Sequence, residues 1–261
     1  MQFSICDIGS SNIKIKKFIK VNKDIKQDLK ELEFDIEFDK LITKYDKNTI
    51  FIKKSAKMTN IISNLNNCYV GAAGSIRNIV KIPKRYNVFM NNKFIFNLDV
   101  LSSKEEAELE FSASQYKFKT IESMISMGSR SSQIFSDNKS YSIPVGFKTS
   151  EKNSVRFKML KNKNILGISS LYWAAKKVES KINRKLADNI KGIKVNKQFV
   201  DLLESVNLSD YDDMDRNQIV LMKKIMKQIA GDNTKIIFKR EWKNKYSKYV
   251  INWATGKALQ F

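Results

Sequence analysis

Histidine is absent from this chain of 261 residues, and proline and cysteine occur only twice each. Without histidine the chain has no Ser-His-Asp or Cys-His catalytic group and no His-ligated metal. Any acid–base chemistry must therefore use Asp, Glu, Lys or Tyr. Cys6 and Cys68 are too few for a zinc cluster or a disulfide framework. Because each lies in an apolar stretch, we expect buried thiols in a reducing compartment.

A long apolar segment is also missing. Residues 58–76 carry no charge, but they include four Asn, two Ser and one Thr, a composition that disfavours membrane insertion. Asp7 and Lys14 interrupt the N-terminal region, which therefore lacks the apolar core of a signal peptide. We expect an intracellular protein, cytoplasmic or nuclear, with no membrane partner.

Positive charge is what the chain has in surplus. It carries 48 Lys and Arg against 27 Asp and Glu, a net charge of +21, and residues 151–200 hold 13 basic against 3 acidic residues. Such a surplus attracts polyanions, so the partner classes it favours are nucleotide, polyphosphate and nucleic acid. Solvated lysines on helix faces, or the codon usage of an AT-rich genome, explain the same surplus without a polyanion.

The pattern of apolar residues predicts an α/β chain in which one arrangement occurs twice. Residues 2–7 and 13–18 are predicted strands joined by a turn of small residues, and residues 122–127 and 133–135 repeat this hairpin. The repeat suggests two α/β lobes. We place the N-terminal lobe at 1–121, with a C-terminal helix at about 249–261 packing back on it, and the second lobe at 122–248, mostly helical after 150.

The remaining expected elements follow from hydrophobic periodicity. Further strands are expected at 31–38, 68–73, 94–101, 141–144, 165–168 and 235–238. Helices are expected at 52–66, 104–117, 151–161, 169–187, 195–206 and 216–230.

Two loops of small residues have the composition of phosphate-binding loops. In the first, Asp7 precedes Gly9, Ser10 and Ser11. Its carboxylate can orient a hydrated divalent cation, while loop amides and hydroxyls hold a phosphate. An ordinary turn is the alternative. The second loop offers amides and hydroxyls from Gly128, Ser129, Ser131 and Ser132.

A cation and a carboxylate stand between these loops. Arg77 is one of only seven arginines and follows the small residues 71–74. A guanidinium binds phosphate oxygens in a bidentate way, although a surface ion pair is the alternative. Glu105 and Glu106 follow a cap at Ser102 or Ser103. One of this pair can act as a general base, or both can simply complement the helix dipole.

Taken in order, these segments resemble the motifs of the actin–hexokinase–heat-shock ATPase superfamily. They are most similar to its exopolyphosphatase/guanosine pentaphosphate phosphatase branch and its apyrase (nucleoside diphosphatase) branch. The resemblance is carried by DIGSS at 7–11, AAGSIR at 72–77, LSSKEEA at 101–107 and SMGSRSSQ at 126–133, with a fainter match, GISSLYW, at 167–173. It implies a two-lobed actin-like ATPase (ribonuclease H-like) fold with a central cleft.

The resemblance also implies an activity, the hydrolysis of phosphoanhydride bonds in nucleoside tri- or diphosphates or polyphosphate. Glu106 is then the catalytic base, and Arg77 and the two loops stabilise the transferred phosphoryl group. Asp7 orients Mg²⁺ or another divalent cation through water. Tyr172 and Trp173 are candidates for stacking on a nucleotide base, although aromatic core packing explains them equally well.

The chain also departs from the family pattern. Ser126 stands where the family has Asp, Ala73 where it has Thr, and Ser129 and Arg130 where it has glycines. These departures leave two alternatives to a hydrolase. One is a weakened or inactive nucleotide-binding regulator on the same fold. The other is a basic nucleic-acid-binding protein that uses the lysines of 151–200, namely Lys176, Lys177, Lys181 and Lys185.

Overall fold

The computed structural model describes residues 1–9, 12–22, 24–128, 131–148, 157–243 and 245–261. Ser10, Ser11, Ser129 and Arg130 of the expected loops lie outside the described residues. The chain forms two compact units, the first made of Met1–Leu109 with Glu241–Phe261 and the second of Glu110–Arg240. The divisions thus fall at 109/110 and 240/241, whereas the sequence analysis set them at 121/122 and 248/249.

The part of the chain up to Lys117 holds eight strands and four helices in the described residues. The strands are β1 (Gln2–Ile8), β2 (Ile13–Val21), β3 (Asp24–Phe34), β4 (Ile42–Tyr45), β5 (Thr49–Ile52), β6 (Tyr69–Ala72), β7 (Arg85–Met90) and β8 (Lys93–Val100). The helices are α1 (Phe38–Leu41), α2 (Ala56–Leu65), α3 (Gly74–Val80) and α4 (Ser103–Lys117).

The remainder of the chain completes both units. The strands are β9 (Ser123–Met127), β10 (Ser132–Ser136), β11 (Lys139–Ile143), β12 (Asn164–Ser169), β13 (Ile193–Lys194), β14 (Lys235–Phe238), β15 (Glu241–Lys243) and β16 (Lys248–Val250). The helices are α5 (Ser170–Val178), α6 (Lys197–Glu204), α7 (Asp213–Ile229) and α8 (Trp253–Ala258).

Each unit is built on one sheet, and the two sheets share a plan. The first has the order β15-β16-β3-β2-β1-β6-β8-β7-β5-β4, and the second has the order β11-β10-β9-β12-β14-β13. In the first, β1 pairs antiparallel with β2 and parallel with β6. In the second, β9 pairs antiparallel with β10 and parallel with β12. The parallel partner in each case is followed directly by a helix, α3 after β6 and α5 after β12.

Buried apolar residues form a separate core in each unit. In the first unit the main cluster lies between α1–α3 and one face of the sheet, and a smaller cluster that includes Ile5, Phe18 and Trp253 lies under α8 on the other face. In the second unit α5, α6 and α7 pack their apolar faces against the sheet. Side chains alternate between the two faces of a strand, so β1 and β2 contribute to both clusters of the first unit.

The strand expected at 31–38 ends early. The observed strand β3 covers Asp24–Phe34, and Phe38 begins α1 instead of continuing the strand. Phe38 is fully buried, with its ring centroid 6.2 Å from that of Phe96. The alternating apolar pattern therefore runs from the end of a strand into the start of a helix, which periodicity alone does not distinguish from a longer strand.

The helix expected at 169–187 is also shorter, because α5 ends at Val178. The Glu179 carboxylate then accepts hydrogen bonds from the backbone N–H groups of Leu186 and Ala187, at 3.0 and 2.7 Å. These bonds stabilise a turn in place of further helix. The helix expected at 151–161 lies partly outside the described residues, and Lys158–Leu160 form a 3₁₀ turn.

No helix within the described ranges is long and apolar enough to cross a membrane.

Candidate active site

Asp7 is held by two side chains that the sequence analysis did not single out. Its Oδ2 lies 2.9 Å from Lys16 Nζ, and its Oδ1 accepts a hydrogen bond from Trp253 Nε1 at 3.2 Å. The Lys16 side chain is only 6 % exposed and that of Asp7 is 22 % exposed. The carboxylate at the end of β1 therefore has a buried ammonium as its counter-ion.

Strand geometry explains how these three groups meet. Asp7 is paired in register with Lys14 across the β1–β2 hairpin, so Lys16 is its diagonal neighbour on the same face. On the other side Asp7 is paired with Gly71 of β6. A Cβ at Gly71 would lie 2.6 Å from the Trp253 ring, so the missing side chain makes room for the indole.

Arg77 is brought to Glu106 by two different helices. Arg77 lies in α3, and its Nη1 donates hydrogen bonds to the Leu101 carbonyl oxygen and to Glu106 Oε2, each at 3.0 Å. The two side chains are only 12 % and 15 % exposed. The pair is thus largely buried. Electrostatic interactions are stronger in a buried environment than on the surface.

The adjacent glutamates have separate roles in the structure. The Glu105 carboxylate accepts a hydrogen bond from the Ser102 backbone N–H at 2.7 Å, while the Glu105 N–H donates to Ser102 Oγ at 3.1 Å. This reciprocal pair is a capping box that starts α4. Glu106, one residue later, turns toward Arg77 instead.

The pKa of the Glu106 carboxyl is raised above its ordinary value. Burial is the largest cause, the positive charge of Arg77 opposes it, and the negative charge of Asp7 adds to it. Arg77 of α3 and Glu106 of α4 thus form a buried pair in the first unit, and the Asp7 carboxylate at the end of β1 acts on the Glu106 pKa from within the same unit. The three residues are up to 99 positions apart in the chain.

The two expected phosphate loops close in the same way. The Gly9 N–H donates to the Asn12 carbonyl oxygen at 2.9 Å, and the Gly128 N–H donates to the Ser131 carbonyl oxygen at 2.9 Å. Each turn joins two antiparallel strands through four residues, 9–12 and 128–131.

Hydroxyl groups of the second loop are partly committed to the protein. Ser132 is fully buried and donates to the Val145 carbonyl oxygen at 2.7 Å. Ser131 Oγ accepts a hydrogen bond from Gln133 Nε2 at 3.0 Å. At the end of β9, Ser126 Oγ lies 3.2 Å from Ser169 Oγ. The described residues of this part of the second unit therefore offer hydroxyls and backbone groups, with no carboxylate at position 126.

The aromatic pair of the second unit lies at the start of α5. Tyr172 donates its hydroxyl to Asp188 Oδ2 at 2.9 Å and packs against the core of the unit. Trp173 is 42 % exposed, with the Arg240 guanidinium 5.2 Å from its ring centroid. Trp173 is thus the more accessible ring of the two.

Three of the four lysines proposed for nucleic-acid binding are engaged in ion pairs. Lys176 pairs with Glu179 at 2.9 Å. Lys177 pairs with Asp215 and Lys181 with Asp210, each at 2.6 Å. These carboxylates offset the positive charge of Lys176, Lys177 and Lys181.

Lys16 and Trp253 are the site residues that sequence reasoning missed. The alternation of Lys14 and Lys16 with buried Ile13 and Ile15 was a usable signal, since it places both lysines on the face that carries Asp7. Trp253 gave no such signal, because it is 246 positions away from Asp7.

The described residues do not fit a divalent cation held by Asp7. They include no group of three or more Cys, Asp or Glu side chains that could hold a metal ion. Both oxygens of Asp7 have protein partners, and Lys16 and Arg77 balance the charges of Asp7 and Glu106. A buried ammonium beside the carboxylate repels a second cation.

Comparison with known proteins adds information about the fold. No protein-family model matches the sequence, and no curated protein matches it. Among solved structures, the chain is similar to the Aquifex aeolicus member of the Ppx/GppA protein family, with 12 % identity and a TM-score of 0.60 over 100 % of this chain and 97 % of that one. It is also similar to an exopolyphosphatase from Cytophaga hutchinsonii, with 13 % identity and a TM-score of 0.54 over 100 % and 98 % of the two chains.

These similarities extend over both units at low sequence identity, so they bear on architecture. They agree with the shared strand plan of the two sheets and with the fold class expected from the sequence, which is confirmed. The chain has the α/β actin-like ATPase fold found in solved Ppx/GppA structures.

Proposed function

We propose that this protein hydrolyses phosphoanhydride bonds and releases phosphate from nucleoside tri- or diphosphates or from polyphosphate. The observation that carries the proposal is the buried Arg77–Glu106 ion pair, which lies within the electrostatic influence of Asp7. The similar structures of a Ppx/GppA family member and an exopolyphosphatase support the same class of chemistry.

Glu106 is the proposed general base. Its raised pKa makes it a better proton acceptor near neutral pH than an ordinary glutamate. The oxygen of a water molecule forms a bond to the terminal phosphorus, and the proton of that water passes to Glu106. The bond from this phosphorus to the bridging oxygen breaks, and its electron pair leaves with the shortened phosphate chain. The products are orthophosphate and a chain one phosphate shorter.

Arg77 is proposed to bind the phosphoryl oxygens. A guanidinium carries five N–H donors in a planar fork that matches phosphate, and the two bonds seen for Arg77 both come from Nη1. The Gly9 loop is a proposed oxygen-binding element of the first unit, and the Gly128 loop, with Ser131, is a proposed oxygen-binding element of the second. The N–H groups of Gly9 and Gly128 themselves close the two turns. Ser132 contributes through the fold of its loop, because its hydroxyl is committed to Val145.

A divalent cation such as Mg²⁺ remains part of the prediction only as a companion of the substrate phosphates. Mg²⁺ commonly binds proteins through few carboxylates together with phosphate oxygens. The described residues do not offer Asp7 as its ligand, and the mechanism above needs no step through it.

The test is phosphate release from ATP, ADP, tripolyphosphate and long-chain polyphosphate, with and without Mg²⁺, Mn²⁺ or Ca²⁺. We expect Glu106→Gln to lower kcat by about 10²–10⁴-fold, the usual contribution of a general base. Glu105→Gln is the matched control, because glutamine preserves a capping box. It should retain most of the activity.

Two outcomes would count against the proposal. If no substrate in the panel releases phosphate, the hydrolase is ruled out under those conditions, and tight binding of a nucleotide without turnover would favour the regulatory alternative. Ser126, which gives the second hairpin a hydroxyl in place of a carboxylate, is the observation that favours this alternative. Equal losses in Glu105→Gln and Glu106→Gln would remove Glu106 from the role of base.

A further inference from the structure

One half of the first unit's sheet has a face that carries a row of aromatic rings. In β5 and β7 the residues Ile50, Ile52 and Val88 are buried in the core, and their neighbours in the chain point to the opposite face. Helix α8 covers β1 near Asp7, on the other half of this sheet. The half formed by β8, β7, β5 and β4 thus presents partly exposed side chains.

Three phenylalanines form the aromatic row, one from each of three adjacent strands. Phe51 of β5 is in register with Phe89 of β7, and Phe89 is in register with Phe94 of β8. Neighbouring ring centroids are 5.9 Å apart in both pairs. Phe94 is 53 % exposed, and Phe51 and Phe89 are half-buried. Exposed apolar groups that cluster in this way mark interaction surfaces.

A row of polar side chains runs beside the rings. Thr49 is in register with Asn87, and Asn87 is in register with Asn97. Both asparagine side chains are exposed. An amide side chain supplies two N–H donors and an acceptor oxygen, which is the complement needed by the polar edge of a nucleic-acid base.

Charge on this surface is positive. Lys44 Nζ lies 5.9 Å from the centroid of the Phe51 ring, and the Lys44 side chain is exposed. In the sequences of β4, β5, β7 and β8 the single acidic residue is Asp99, which pairs with Arg85 at 2.6 Å. Lys44 therefore gives the rings a positive neighbour that suits a phosphate, and the one carboxylate in the sequences of these four strands is paired with Arg85.

From these observations we propose that the aromatic row binds single-stranded nucleic acid. Bases stack on the rings of Phe51, Phe89 and Phe94, the asparagines contact base edges, and Lys44 contacts a phosphate. Stacking on aromatic rings of a sheet is a general way to hold unpaired bases, and it is tolerant of sequence because every base has a flat face. A duplex does not fit, since its bases are already stacked within the helix. The proposal is independent of the hydrolase site.

The test measures fluorescence anisotropy of labelled ten-nucleotide U and A oligomers, and of a ten-base-pair duplex, with the full-length protein. We expect tighter binding of single strands than of the duplex. Phe94→Ala should weaken single-strand binding by about tenfold, within the range measured for loss of one stacking ring. Phe94→Tyr, which retains the ring, should bind like the wild type.

A matched control is Tyr141→Ala, which removes an aromatic ring 37 % exposed on the sheet of the second unit. It should leave oligomer binding unchanged, and phosphate release should be the same in Phe94→Ala and wild type. The proposal is overturned if Phe94→Ala binds oligomers as well as the wild type, or if the duplex binds equally well. It is also overturned if oligomers do not bind and sedimentation shows a dimer that Phe94→Ala dissociates, since the row would then be a contact between two copies.

Discussion

The two hairpins of this protein have the same backbone plan but opposite chemistry. Each strand pair closes through a glycine N–H that donates to the carbonyl oxygen three residues later. When the two hairpins are aligned on these glycines, each residue of the first corresponds to the residue 119 positions later in the second. Asp7 thus corresponds to Ser126, and Lys16 corresponds to Phe135. The first hairpin carries an ion pair where the second carries a hydroxyl and an aromatic ring.

The residues that contact the two hairpins also differ in charge. Asp7 is bound by Lys16 and Trp253, whereas Ser126 meets the neutral hydroxyl of Ser169, and Phe135 stacks on Phe111 with ring centroids 3.9 Å apart. A shared topology therefore does not require shared chemistry. In the proposed function, the charged groups Arg77 and Glu106 both belong to the first unit.

Among the changes that test this comparison of the two hairpins and their units, removal of Arg77 should have the largest effect on activity. Arg77→Ala removes the proposed phosphate ligand and leaves the Glu106 carboxylate without its cation, so we expect kcat to fall by about 10³-fold. Arg77→Lys keeps the charge but not the planar fork, so its kcat should lie between those of the wild type and Arg77→Ala. Phosphate-release kinetics are the measurement. A loss no greater than that of Arg85→Ala, a change at a surface pair, would contradict the role of Arg77.

The pH profile sharpens this test. A general base must be deprotonated, so activity should fall as the pH drops through the raised pKa of Glu106. Arg77 is what holds that pKa down against burial. The acidic limb of kcat in Arg77→Lys should therefore stay near that of the wild type, and in Arg77→Ala it should move to higher pH. If the acidic limb of kcat has the same position in Arg77→Ala as in the wild type, a group other than Glu106 is responsible for that limb.

Replacement of Lys16 should destabilise the first hairpin, which carries the ion pair, and leave the second hairpin unchanged. Lys16→Met leaves Asp7 largely buried without its ammonium, and we expect the free energy of unfolding to fall by about 3 kcal/mol. Lys14→Met is the matched control on the same face, because Lys14 and Glu33 are 29 % and 43 % exposed. Such surface pairs contribute less than about 1 kcal/mol.

Urea denaturation of both lysine variants gives the comparison directly. Equal destabilisation in the two would show that burial of Lys16 does not strengthen its pairing with Asp7.

Conversion of Ser126 to aspartate should make the two hairpins more alike. Of the substitutions at Arg77, Lys16 and Ser126, we expect this one to have the smallest effect. Ser126→Asp places a carboxylate at the position that corresponds to Asp7, and we expect phosphate release to rise by about tenfold with Mg²⁺ and not to rise with EDTA. This gain is smaller than the roughly 10²–10³-fold effect of removing one preorganised group that stabilises a transition state. Ser126→Asn is the control of similar shape. A gain in the asparagine variant, or none in the aspartate variant, would mean that charge at this position does not limit turnover.

Local sequence patterns carried much of the fold. The strands at 235–238 and 164–169, the two hairpins and helix α4 lie where periodicity and turn residues placed them. The capping serine also predicted where α4 begins. These features depend on residues close together in the chain, which is why a single sequence reveals them.

The sequence failed where distant segments compete for the same core. Burial of Phe38 ended β3 early, and the Glu179 bonds shortened α5, although both patterns continued in the sequence. The strands β4, β5 and β7 were not foreseen, although they form the sheet half with the phenylalanine row. Short strands such as these depend on their neighbours in the sheet more than on their own composition.

The sequence by itself determined which chemical groups this protein has available: no imidazole, few arginines, an acidic pair at the start of a helix and two small-residue turns. It also determined that Ser126 provides no negative charge in the second turn. Only the tertiary structure decided that Glu106 and not Glu105 meets Arg77, and that Lys16 and Trp253 hold Asp7. The physical reason is that a side chain's partner and its degree of burial depend on how strands and helices pack, and those contacts join residues up to 246 positions apart.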